Sequence, residues 1–374
     1  MRIAVSVVSN GKIIETSHES DKCFHIFNSK QNKKFKLLWH RNQSMTTSRQ
    51  IEDGRINVKS LSAKHAIPKI KNKFKEIEKE LLQCLPSGRL RLRYVYSIRC
   101  FNNYEIKERY SRNIWTIEFV SDFGRISDST VNIDKNFIDN FIKLITFSLR
   151  SKYKSFDKLN IDKKTVLEFS EIATGFILHE AIGHRLESDD FNEPIHIKVK
   201  PNFEIIDSVG RKGWWGYTPI DDSFNRGKNI YLLKKCHTGF KTFLIDGSQG
   251  HLRSSDLVWH PIIRQRNLIT RIVKEIKPPQ SHKKLVINTV LKGSLFNDHA
   301  ELEIDNAVWF DGENQYKVKP FTLTLSIREI FELNLYGKSK ISHLAGGCHK
   351  DLQRQLPISF KTHSSWCRFH DLIK

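Results

Sequence analysis

The segment Gly175-Phe176-Ile177-Leu178-His179-Glu180-Ala181-Ile182-Gly183-His184 constrains this chain more than any other. An apolar run of this kind reads as a helix with little polar surface, and such helices are buried. Two histidines and a glutamate sit at its centre, and buried ionisable groups need strong partners. A divalent cation would be such a partner. The order is close to the metal-binding helix pattern H-E-x-x-H, except that the second histidine comes one residue late. On a regular helix, residues four apart differ in direction by ~40° and residues five apart by ~140°. His179 and His184 therefore converge only if the helix widens by one residue, as a π-bulge does, or unwinds before His184. Gly183 suits that position because glycine relaxes the backbone. The competing reading is a core helix whose two histidines are satisfied by ordinary hydrogen bonds.

A catalytic zinc uses three protein ligands and keeps one position for water. Cys348, in the late segment Gly346-Gly347-Cys348-His349-Lys350-Asp351, is the candidate third ligand, since its glycines allow close backbone approach. A thiolate with two imidazoles is a good zinc set. The set Cys348, His349, His363, Cys367 and His370 competes as a separate structural site, although its spacing matches no standard finger.

The remainder of the 374 residues predicts an α+β protein of two domains. A small α+β N-terminal domain spans 1–155 and a β-rich domain spans 156–374, the latter holding the buried metal-binding helix. In the first part, Asn10-Gly11 between two alternating runs signals a hairpin. Apolar residues three or four apart over 63–84 and 136–152 signal helices. Alternation over 90–131 signals three or four antiparallel strands. The polar stretch 151–164 reads as the linker. In the second part, TVLEFS, NIYLLKK, FKTFLID, KLVINTV, AELEIDNAVWF and QLPISF read as strands, SIREIFELNL as a helix and SHLAGGCHKD as a loop.

Composition narrows the functional classes. Charged residues interrupt every apolar run before the roughly 18–20 residues of a membrane span. The six cysteines (23, 84, 100, 236, 348 and 367) lack the spacing of a disulfide framework, which fits a reducing cytosol. A net charge of +21 implies attraction to polyanions such as nucleic acid or an acidic partner. The basic residues are dispersed, and no zinc-finger, RNP or basic-zipper signature is present. Nucleic acid is therefore a possible ligand but not the favoured one.

The ordered motifs resemble the TldD/PmbA metallopeptidases, cytosolic proteins linked to peptide maturation and named in part as modulators of DNA gyrase. FILHEAIGHRLESD is similar to that family's H-E-A-x-G-H-x-L-E-x-D helix, YTPIDDSFNRG to its D-D-E-G stretch, WHPIIRQRN to its P-x-P-R-x-x-N segment, and GGCHKDLQRQLPISF to its G-x-C-G-K ending. The resemblance covers residues 160–360 and is weak before them. It implies one zinc per active subunit on His179, His184 and Cys348, with Glu180 as the general base. It further implies a dimer, with a zinc-lacking paralogue or with a second copy of itself, around a cavity that admits unfolded peptides as extended strands. Substrate-binding candidates are Asp221, Asp222, His260, Arg264 and Asn267, each with a structural alternative as a turn cap or an internal ion pair. Glu187 reads equally as a salt bridge at the helix end.

The sequence also departs from that pattern. Arg185 and Ser188 replace glycines, Asp221-Asp222-Ser223-Phe224 replaces D-D-E-G, LKGSLFNDHAE stands where a glycine-rich segment is expected, and His349 follows Cys348. None removes a ligand or the base, so the expected activity is zinc-dependent hydrolysis of precursor or unstructured peptides. The rival is a non-catalytic scaffold or a basic nucleic-acid-associated protein of the same family.

Overall fold

The computed structural model describes residues 124–369 except 163, 190–194, 196–199, 254–260, 297 and 351–352, and before residue 124 the strands named here. The side chains of 345–349 and 353–355 are not among those described. The predicted Asn10-Gly11 hairpin turn and the helix over 63–84 lie outside the described residues.

Strands β1 (Ile3–Val8), β2 (Lys22–Phe24) and β4 (Lys36–Leu38) form one small sheet. A six-stranded sheet holds β3 (Ile26–Ser29), β5 (Thr46–Ile51), β6 (Gly54–Lys59), β7 (Arg89–Asn103), β8 (Lys107–Ser121) and β9 (Gly124–Thr130). Its centre is a meander, β7 running antiparallel to β8 and β8 to β9. Ile114, Ile117 and Phe119 of β8 are buried. Helix α1 (Lys135–Arg150) follows, with the Asp134 carboxylate accepting from the Phe137 N–H at 2.9 Å. Ile138, Phe141 and Ile145, spaced three and four apart, form its buried stripe.

The rest of the chain builds a twelve-stranded sheet. Its members are β10 (Lys152–Lys154), β11 (Val166–Phe169), β12 (Phe203–Ser208), β13 (Ile230–Cys236), β14 (Gly239–Thr242), β17 (Asn267–Ile272), β18 (Lys284–Phe296), β19 (His299–Phe310), β20 (Gln315–Val318), β21 (Phe321–Ser326), β22 (Asn334–Lys350) and β23 (Gln353–Arg368). The path runs β10-β20-β19-β18-β11-β23-β17-β12-β13-β14, with β21 on β19 and β22 on β23. Two-residue strands β15 (Leu252–Arg253) and β16 (Ile262–Ile263) pair outside it. Alternation sets the faces: Ala300, Leu302 and Ile304 of β19 point into the core while His299, Glu301 and Glu303 point away from it.

The fold is thus mixed α/β, rich in strands and poor in helices. The stretch read as a linker carries β10 and a 3₁₀ turn at Phe156–Lys158, and Phe156 stacks on Phe321 with centroids 4.2 Å apart. Phe156, Leu159 and Ile161 pack on the main core and dock this otherwise polar stretch. SIREIFELNL is helical only over α3 (Ile327–Phe331) before β22 begins. Of the predicted loop SHLAGGCHKD, residues 342–350 lie inside β22, whose register slips between Leu344 and Cys348 and again before Lys350. Its glycines allow those bulges, so the sheet continues where turn residues suggest a loop. Among the described residues, no helix is long and apolar enough to cross a membrane.

Candidate metal centre

Helix α2 (Glu171–Leu178) starts where the Ser170 hydroxyl accepts the Ala173 N–H at 3.2 Å. It lies against β18 and β23, and Ala173, Ile177, Leu178, Ala181 and Ile182 join the main core. Gly175 allows the close approach, since a Cβ there would stand 2.7 Å from the Phe360 ring. Ile172, Phe176 and Glu180, four residues apart, form the stripe that faces a cavity of about 910 Å³.

At His179 the helix changes pitch. Residues His179–Gly183 form a π turn, and the His184 N–H donates to the His179 carbonyl five residues back. The chain then tightens into a 3₁₀ turn over His184–Leu186. This is the widening that the late histidine requires. It brings the two rings to 4.7 Å between centroids, at 64°. One ligand atom from each of His179, Glu180 and His184 lies within 4.8 Å of the others, and the group can hold a metal ion.

Gly183 plays a different part from the one expected of it. Its φ of −59° and ψ of −57° are ordinary helical values that any residue adopts. What it provides is space: a Cβ would collide with the Gln265 side-chain amide. Gly293 on β18 does the same for the general-base candidate, because a Cβ there would stand 2.7 Å from Glu180 Cγ. Gly293 lies in the segment that departs from the resembled family's glycine-rich stretch, and one glycine keeps the position open.

The donors fit a cation. His179 is fully buried and neither ring nitrogen has a hydrogen-bond partner. Buried polar atoms are rarely left so, because the loss of water is uncompensated. His184 is oriented instead: its Nδ1 lies 3.2 Å from Glu187 Oε2, and its Nε2 lies 3.8 Å from Glu180 Oε2. An ionised carboxylate only accepts, so Nδ1 carries the proton toward Glu187 and Nε2 keeps its lone pair for a metal. Burial alone would raise the Glu187 carboxyl. His184, Lys350 at 2.9 Å and the Gln265 N–H at 2.7 Å together draw it down to about 2. Lys350 also reaches Asp189 at 2.6 Å, tying the end of β22 to the segment that follows the two histidines. Sequence reading missed Lys350 and Gln265; the sole signal was their place inside the motif segments.

Cys348 lies in β22 opposite Leu356, and its side chain is outside those described. His260 is outside the described residues. Asp221 is buried and accepts four hydrogen bonds, from the N–H groups of Ser223, Asn225 and Leu252 and the Asn225 amide; burial pushes its carboxyl up against them. It caps the 221–225 turn, in which Phe224 takes a left-handed φ of 63° where the resembled family has glycine. Asp222 is buried beside it, its N–H donating to the Leu252 carbonyl at 2.8 Å. Arg264 is fully buried, its N–H on the His251 carbonyl at 2.9 Å. Asn267 spends its amide on the carbonyls of Ser208 and Gly216 and on the Ser359 N–H. These contacts hold the strands and loops around the helix. In the rival C-terminal set, His363 bonds Thr270 at 2.8 Å and Cys367 is a core residue. Four positions apart on one strand, they are separated by about 13 Å, too far for one ion.

Three solved structures share this architecture. TldE from Thermococcus kodakarensis matches with a TM-score of 0.58 at 10% identity, over 88% of this chain and 78% of its own. The chain has the TldD/PmbA fold. A protein described as a modulator of DNA gyrase from Thermotoga maritima matches at 0.53 and 13% identity, over 88% and 79%. Another so described, from Bacteroides thetaiotaomicron, matches at 0.54 and 10%, over 92% and 90%. No family model matches the sequence, and no curated protein does. At such identities the TldD/PmbA likeness is one of backbone, so the chemistry rests on the residues of this chain.

Proposed function

We propose that this chain is a zinc-dependent peptidase acting on unstructured or precursor peptides. The observation that carries the reading is His179, buried with two partnerless ring nitrogens beside Glu180 and His184. His179 and His184 would hold the ion, with Cys348 as the third ligand supplied from β22. A zinc ion held there would supply Lewis acidity and a bound water acidic near pH 7.

The chain's own groups account for the remaining steps. Glu187 and Lys350 fix the His184 ring, so that its Nε2 is preset. Glu180, half-buried between Gly293 and the cavity, accepts a proton from water and returns it to the leaving amine. The cavity receives the peptide in extended form, and the surrounding core excludes bulk water from the His179 side. A dimer, with itself or with a zinc-lacking paralogue, belongs to the same proposal.

Plasma emission on purified protein is expected to give about one zinc per chain, and chelation is expected to stop cleavage of an unfolded peptide. Glu180→Gln should keep the zinc and lose cleavage by a factor on the order of 10²–10⁴. Persistent cleavage would reject Glu180 as the base, and full zinc in Cys348→Ala would reject the third ligand. Metal-free protein that binds DNA in a steeply salt-dependent way would replace the peptidase reading with the nucleic-acid one.

A further inference from the structure

A second cavity, of about 400 Å³, shares Arg125, Leu291, Glu303 and Asp305 as walls with the cavity that holds Glu180. Its remaining walls are largely apolar, among them Tyr153, Ile304, Val318 and Phe321. Lys317 of β20 also lines it, although the residue is only 4% exposed. Among the described residues, Lys317 makes no hydrogen bond and no ion pair; its ammonium lies 5.6 Å from the centre of the Tyr153 ring. Burial lowers its pKa, and the Asp305 carboxylate opposes that from a distance.

Two of the other charges in these walls are paired, and Asp305, which attracts Lys317 and Arg125 without touching Lys317, is held by a hydroxyl. Arg125 meets Glu118 at 3.1 Å, Lys292 meets Glu303 at 3.4 Å, and Asp305 accepts the Thr289 hydroxyl at 2.6 Å. What remains is an ammonium that faces the cavity and donates to no oxygen among the described residues, so its three donors are open to a group that enters there. The missing group is an oxygen acceptor, and a carboxylate makes the strongest such bond. The apolar walls around it suit a hydrocarbon side chain. Leu291 lies two residues before Gly293, the glycine that Glu180 packs against, so about 7 Å of strand separates the two cavities' landmarks. An extended peptide covers that distance in two residues.

We propose that this cavity binds the C-terminal residue of a peptide, with its carboxylate on Lys317 and its apolar side chain between Leu291 and Phe321. The inference deepens the peptidase reading, on which its catalytic consequence rests: bond cleavage occurs within a few residues of a free C-terminus. Binding itself does not depend on that reading.

The test uses full-length Glu180→Gln protein and a fluorescein-labelled unstructured peptide ending in leucine, prepared as the free acid and as the C-terminal amide. Anisotropy titration is expected to show the acid binding roughly tenfold or more tightly than the amide. Lys317→Met should bring the ratio close to one, and Lys317→Arg should largely keep it. Leu291→Glu, at a position 52% exposed, should lower the ratio by placing a carboxylate at the wall without disturbing the core. Equal binding of acid and amide, a ratio that neither Lys317→Met nor Leu291→Glu changes, or no binding of either peptide would overturn the proposal.

Mass spectrometry of both peptides with the parent protein separates the two readings. Cleavage of acid and amide alike would sink the C-terminal pocket and leave the peptidase standing. Lys317-dependent binding of the acid without any cleavage would do the reverse.

Discussion

His179 and His251 are both fully buried in the same fold, yet their surroundings are opposite. His251 Nε2 lies 2.8 Å from Asp207 Oδ1, and Asp207 also takes the Arg266 Nε at 2.7 Å and the Arg266 N–H at 2.7 Å. Only His251 Nδ1 and one Arg266 nitrogen are left over. His179 has no partner on either nitrogen. A network in which the carboxylate, the imidazole and the guanidinium meet one another accounts for their burial together. A bare imidazole beside Glu180 and His184 is explained by something that binds. The first cluster therefore reads as structure and the second as function, although both are histidine beside carboxylate.

Substitutions can break this contrast. The largest stability effect is expected for Asp207→Ala, which strands Arg266 and should cost on the order of 3–5 kcal/mol in urea denaturation without changing bound metal. A loss below about 1 kcal/mol would mean that the closed network is not structural. Acid should act on the same group. Burial would raise Asp207, but Arg266 and His251 outweigh it and hold the carboxyl at about 2, below its ordinary 3.8. A depressed carboxyl stabilises the folded state above its unfolded pKa, so about 2 kcal/mol should be present above pH 4–5 and disappear as pH falls toward 2. Asp207→Ala should flatten that part of the stability–pH curve.

Smaller effects sharpen the comparison. Phe224→Gly, in the turn that Asp221 caps, should remove the left-handed strain and raise stability by about 1 kcal/mol, less any lost side-chain packing. The smallest change in stability is expected at the proposed metal centre. His179→Ala should abolish zinc binding yet leave metal-free protein within about 1 kcal/mol of the parent, because no hydrogen bond is lost. A cost near that of Asp207→Ala would place His179 among the structural groups.

Legibility followed the range of the interactions involved. Burial of the α2 segment was legible from its apolar run, and the π turn from the five-residue histidine spacing, because both are local geometry. Strands such as β13, β14, β18 and β19 were legible from alternation. The spacing places the π turn, but the need for glycine at 183 lies outside the segment, since the Gln265 amide that excludes a side chain there comes from 82 positions along the chain. For the same reason the sequence leaves Arg264 and Asn267 open between substrate contact and internal pairing, and the hydrogen bonds of Asn267 lie within the fold. Gly346 and Gly347 suggest a loop, but glycines that mark a turn in isolation mark bulges once β23 pairs beside them.

The sequence by itself determined that a histidine, a glutamate and a second histidine would lie on one buried segment, because side-chain direction along a helix depends only on spacing. Tertiary structure decided which buried histidine would be left bare, which carboxylate would orient the other, and that a lone lysine would line a pocket beside Glu180. Those outcomes depend on strands brought together by packing, and a satisfied polar group is distinguished from an orphan only by neighbours distant in the chain.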